Sequence, residues 1–160
     1  MIIFFYGSDG YRLKEGTAEV VSKYKDKYPS ALNLTFHDFS QSVSFDSLAV
    51  AIKNVSFFRE TKLVVIKNVF SNKAASEQLT DLISRYQLQA EKDIALFIIE
   101  PRTKGDLQKT NVSLVSFFLK HAKPVKEFEP LKGTALEVWV TKICAQRSKT
   151  ISRSALSLLL

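Results

Sequence analysis

Over the first 130 positions the apolar residues switch repeatedly between two spacings. Ile2 to Tyr6 is an unbroken apolar run closed by Gly7, the pattern of a strand buried on both faces. From Tyr11 to Tyr28, the residues Leu13, Thr17, Val20, Val21, Tyr24 and Tyr28 recur at helical spacing with lysines between them, and Pro29 follows as a stop. Leu32, Leu34 and Phe36 then alternate, predicting a strand over 32–39. Phe45, Leu48, Ala49 and Ile52 mark a short helix with Ser44 as its N-cap. Leu63-Val64-Val65-Ile66 lies in a second buried strand over 62–69, and Leu79, Leu82, Ile83 and Tyr86 form the next helical face. Ile94 to Ile99 predicts a further buried strand, ended by Glu100-Pro101. A helix through Leu114, Val115, Phe118 and Leu119 and a short strand over 124–128 complete the series. Strands alternating with helices at this spacing predict an α/β fold: a five-stranded parallel sheet with helices on both faces.

Past residue 130 the alternation stops. Thr134-x-x-Glu137 reads as a capping box opening a helix whose apolar face is Leu136, Trp139, Val140 and Ile143. Ser152 opens another helix, and no strand follows. The expected division is a sheet domain over 1–130 and the beginning of a helical domain over 131–160. The last helix stops at three leucines without a glycine or polar cap, which suggests a piece of a longer protein.

Composition changes this picture little. Apolar residues make up 46% and charged residues 24%, ordinary for a globular chain. The net charge of +7 points to an acidic partner, nucleic acid or protein, but the lysines are scattered and mark no DNA site. Solvated faces account for the basic later half (Lys104, Lys109, Lys120, Lys123, Lys126, Lys132) more economically than a nucleic-acid surface. The single cysteine, Cys144, excludes an internal disulfide and falls in an apolar helical pattern, as buried filler. His37 and His121 stand alone, as surface or strand-end residues without metal-ligand spacing. No metal or other cofactor is expected. No stretch approaches the length of a membrane span, and the apolar start lacks a basic leader, so the cytoplasm is the expected compartment.

The place to look for chemistry is the turn after the first strand. In nucleotide-binding folds this turn is glycine-rich and ends in glycine, lysine and a hydroxyl residue, which cradle phosphate and hold magnesium. Here Gly7-Ser8-Asp9-Gly10-Tyr11 is followed by Arg12-Leu13-Lys14. Leucine cannot neutralise phosphate, lysine cannot supply a hydroxyl ligand, and Asp9 brings negative charge into an anion cradle. The acid that should follow the central strand is also missing, since Lys67 and Asn68 stand there. Both losses argue against ATP hydrolysis. No catalytic residues are assigned.

Four segments together resemble the delta subunit of the bacterial DNA polymerase III clamp loader: "IIFFYGSDGYRLKEG", "VSFFRETKLVVIKNVF", "DIALFIIE" and the stretch from Val125 to Leu160. They occur in the family's order along the whole chain. The resemblance implies an AAA+-like P-loop fold without ATPase activity, followed by the start of a small helical lid. It implies a non-catalytic subunit that binds the sliding clamp, the homodimeric beta ring, and opens it with two adjacent apolar side chains. Those side chains match Phe57 and Phe58, although leucine is more usual at the first position. It further implies contact with ATPase and delta-prime types of clamp-loader subunit through a carboxyl-terminal collar domain outside this chain, with DNA touched weakly or indirectly and no membrane.

The residues support that reading independently. Phe57 and Phe58 fall in a connection between a helix and a strand, where two phenylalanines cannot easily share one core. The alternative is that both plug the end of the sheet. Two other functions stay open at this stage: a divergent phosphate-binding nucleotide enzyme and a basic nucleic-acid-binding module.

Overall fold

The computed structural model describes residues 1–41, 44–54, 56, 58 and 60–159. They form two compact units, Met1–Phe128 and Glu129–Leu160. In the first, strands and helices alternate strictly: β1 (Ile2–Tyr6), α1 (Gly10–Lys27), β2 (Leu34–Asp38), α2 (Phe45–Lys53), β3 (Lys62–Lys67), α3 (Lys73–Tyr86), β4 (Ile94–Glu100), α4 (Lys104–His121) and β5 (Val125–Glu127). A 3₁₀ turn, Val69–Ser71, separates β3 from α3. The strands make one parallel sheet in the order β2-β3-β4-β1-β5. Ile2 lies opposite Leu96, Lys62 opposite Ile94, and Leu34 opposite Leu63.

Why the sheet takes this form follows from its central strands. Every residue of β1 and β4 is buried, as the unbroken apolar runs require. Their side chains divide by alternation. Ile2, Phe4 and Tyr6 join Leu96 and Ile98 on the face covered by α2, α3 and α4. Ile3 and Phe5 join Phe97 and Ile99 on the opposite face, against Leu13, Val20, Val21 and Tyr24 of α1. On the first face the Phe118 ring of α4 meets Phe4 at 5.1 Å and Phe70 at 6.3 Å. The expected fold class, a five-stranded parallel α/β sheet with helices on both faces, is the one observed.

The edge strand β2 departs from its sequence reading. Phe36 is 56% exposed, whereas His37 is buried and is no surface residue. The apolar side chains that meet α1 come chiefly from β1, β3 and β4, so the outermost position on that face stays uncovered. His37 points to the other face, where its Nδ1 lies 3.4 Å from Ser47 Oγ of α2, and burial lowers its pKa.

In the second unit, α5 (Gly133–Gln146) and α6 (Arg153–Leu159) follow. The Ser152 hydroxyl accepts from Ala155 N at 3.2 Å, as its capping role predicts. The capping box at Thr134 does not form. The helix already begins at Gly133, with Lys132 in the cap position and no side-chain cap bond, so Thr134 lies inside the first turn. Cys144 is half-buried, not core filler, because nothing in α5 is fully buried.

One core residue carries a titratable group. Glu100 closes β4, fully buried and on the face shared by Leu96 and Ile98. Its Oε1 accepts from Phe70 N at 3.1 Å, while Oε2 has no hydrogen-bond partner. Burial raises its pKa to about 7, against the lowering effects of the Phe70 amide and the Arg102 guanidinium. A folded pKa above the unfolded one means that this group's stabilising contribution is complete below the unfolded value. It is lost as pH rises through about 7. Relative to Glu100→Gln, the wild-type chain should lose about 3 kcal/mol of stability across this window. Paired denaturant melts from mildly acidic to mildly basic pH measure the difference, and parallel curves would contradict the burial argument.

Candidate functional site

The residues singled out by sequence lie at opposite ends of the sheet. At the carboxyl ends of the strands, the turn from β1 to α1 is only three residues long. Gly7 has a φ of 141°, and its amide donates to Glu100 O at 3.0 Å. A Cβ on Gly7 would fall 2.1 Å from the Phe128 carbonyl oxygen, so glycine is required both by conformation and by space. That carbonyl accepts the Asp9 amide at 2.8 Å, and the Phe128 amide donates to Tyr6 O at 2.7 Å. The chain leaving β5 is thereby stitched across the turn.

The Asp9 carboxylate accepts from Arg12 N at 3.0 Å and caps α1, with the Arg12 guanidinium 3.5 Å from its second oxygen. The positive end of the helix therefore faces the protein's own carboxylate. Because α1 begins at Gly10, the three residues in place of the phosphate signature are all helical. Leu13 is buried against the sheet, and Lys14 is exposed. Ser8 lies exposed in the turn.

Beside this turn is a cleft of about 280 Å³ lined by Gly10, Leu13, Lys14, Asp38, Lys67 and Asn68. Asn68, in left-handed backbone at φ 57°, donates Nδ2 to Asp38 at 2.7 Å. The Ser40 amide and hydroxyl add bonds of 3.0 and 2.7 Å. Burial works against ionisation of Asp38, but these donors outweigh it and hold its pKa below the ordinary value. Among the described residues no cluster of three His, Cys, Asp or Glu could hold a metal ion.

The α2–β3 connection lies at the other end of the sheet. Phe58 is 78% exposed, with a φ of 55° that a non-glycine residue seldom adopts. Phe57 lies outside the described residues. The strand-side end of the connection is tied down residue by residue. Glu60 accepts from Asn33 Nδ2 at 3.0 Å and from Ser30 Oγ at 3.3 Å. The Thr61 carbonyl accepts from Tyr24 OH at 2.9 Å, and its hydroxyl lies 3.3 Å from Tyr28 OH. Lys62, only 7% exposed, donates to the carbonyls of Ala51, Ile52 and Asn54 at 3.1, 2.5 and 2.6 Å. A hollow of about 500 Å³ lined by Asn54, Ser56, Glu60, Lys62, Glu91 and Asp93 opens next to it.

Sequence reading singles out the two phenylalanines but not the polar groups that tie the ends of their connection. Lys62 and Glu60 look like ordinary solvated charges at a strand entrance. The one signal in the sequence belongs to Lys62, a charge that directly abuts the apolar run Leu63–Ile66.

Two kinds of similarity bear on identity. A family model described as DNA polymerase III, delta subunit, matches residues 4–128. No curated protein sequence matches the chain. Among solved structures, the Bacillus subtilis DNA clamp loader delta protein superposes with a TM-score of 0.66 at 19% identity, covering 99% of this chain and 47% of that one. The chain thus spans about half the length of that relative. Domain III of the Thermotoga maritima replication initiation protein DnaA superposes with a TM-score of 0.54 at 16% identity, covering 98% of this chain and 66% of that one. At such identities the superpositions establish the fold. No helix among the described residues is long and apolar enough to cross a membrane. The family match spans the entire sheet unit apart from its first three residues, and the chain belongs to the DNA polymerase III delta-subunit family.

Proposed function

We propose that this chain is the clamp-binding part of a clamp-loader delta subunit, a non-catalytic adaptor that holds the sliding clamp and helps open its ring. The observation that carries this reading is Phe58: a large apolar side chain, mostly exposed, on a connection whose strand-side end is hydrogen-bonded to α1 and to the segment before β2. An exposed ring of this kind is worth about 1.5–3 kcal/mol when a partner's pocket buries it. Its left-handed backbone costs on the order of 1–3 kcal/mol, which a site shaped for a partner can offset on binding. Phe57, the other half of the wedge, enters on the family resemblance. The same resemblance makes the sliding clamp the first partner. Other clamp-loader subunits follow through sequence beyond this chain, with Glu129–Leu160 as the beginning of the lid.

The turn at the opposite end of the sheet supports the absence of nucleotide chemistry. Asp9 caps the amino end of α1 with its own carboxylate, Leu13 is buried against the sheet, and β3 ends in Lys67 with no acidic residue directly after it. These features count against the enzyme alternative. The scattered lysines favour weak, sequence-independent DNA contact over a dedicated nucleic-acid module.

Two measurements test the reading. Phe58→Ala should weaken binding to the cognate clamp by about 2 kcal/mol or more, as a central anchor does. It should leave stability within about 1 kcal/mol of wild type, as surface changes do. A strongly destabilised variant, or a stable one that binds the clamp normally, would remove Phe58 from the interface. Calorimetry with Mg-ATP at cellular concentration should register no binding, and micromolar affinity would favour the enzyme alternative.

A further inference from the structure

The end of α2 is finished in an unusual way. The last carbonyls of a helix have no partner within it, and a left-handed glycine commonly folds the chain back to satisfy them. Here Asn54 N still bonds Val50 O at 3.0 Å, but the chain then leaves in extended form, with Asn54 at ψ 148°. The Lys62 ammonium reaches across from the first residue of β3 and donates to Ala51, Ile52 and Asn54. An ammonium has three donors, and all three are used. Its charge also sits at the negative end of the helix.

Lys62 is itself anchored, since its amide donates to Asp93 O at 2.8 Å and it pairs with Ile94 in the sheet register. One buried side chain therefore spans the two feet of the connection that carries Phe58, with Ala51 and Ile52 in the last turn of α2 and the cap residue Asn54 on one side and the sheet on the other. Burial of the ammonium works against its charge and lowers its pKa. An apolar chain of equal length would avoid that desolvation, but it could not hold three carbonyls around one point.

We infer that Lys62 is a positioning residue for clamp binding: it presets the connection so that Phe58 is presented without a rearrangement. This rests on the clamp-binding reading above. When only a fraction of molecules holds the competent arrangement, apparent affinity falls by that fraction, so loss of the tether to one in ten costs about tenfold.

The test is clamp affinity by surface plasmon resonance for the wild-type chain, Lys62→Met, Lys62→Gln and Leu79→Ala. Leu79 is buried in α3 and belongs to neither end of the connection, so it reports general destabilisation. Lys62→Met should bind about tenfold more weakly, equally at low and high salt because the ammonium is buried and touches no partner. Lys62→Gln keeps two donors and should fall between it and wild type, which preserves the test should the methionine variant fold poorly. Leu79→Ala should bind as wild type does despite a lower melting temperature. Lys62 variants that bind as wild type, that lose no more affinity than Leu79→Ala, or whose loss fades with salt would each overturn the positioning role. A wild-type chain that does not bind the clamp would instead defeat the clamp-binding reading beneath it.

Discussion

Burial of a parallel sheet from both sides is the interaction on which everything else in this chain depends. Parallel neighbours cannot be joined by a tight hairpin, so each return requires a crossover, and here every crossover is a helix. Those helices cover β1, β3 and β4, leaving irregular chain only at the two rims of the sheet. The carboxyl rim is where nucleotide folds place phosphate, and the amino rim is where the α2–β3 connection lies.

The two rims are treated in opposite ways. At the carboxyl rim the polar groups are turned on one another. Asp9 caps the helix that would otherwise attract an anion, Phe128 fills the space above Gly7, and Asp38 Oδ1 accepts from Asn68 and Ser40. At the amino rim a large apolar side chain is left facing water, and buried polar groups are spent on holding the backbone around it.

The family match and the fold agree in extent. The match ends at Phe128, which is also where the first compact unit ends. Phe128 is the residue whose backbone locks the β1–α1 turn and whose ring lies beneath Arg12. The β1–α1 turn is therefore integral to the sheet unit, since its closure uses the last residue of that unit.

Much of this architecture was legible in the sequence. The unbroken apolar runs at Ile2–Tyr6, Leu63–Ile66 and Ile94–Ile99 are the pattern of strands buried on both sides, because apolar residues stand at every position over so short a span. That Arg12, Leu13 and Lys14 stand after Gly10-Tyr11 was equally readable, since charge and side-chain type belong to the sequence itself. Tertiary structure decided what depends on neighbours distant in sequence. Phe36 is exposed and His37 buried because β2 lies at the edge of the sheet. Thr134 misses its cap because α5 starts one residue earlier. Glu100 holds its proton more tightly because β4 ends inside the core. Lys62 carries the same charge as any surface lysine. Only the fold brings the end of α2, eight to eleven residues away in sequence, within reach of its ammonium.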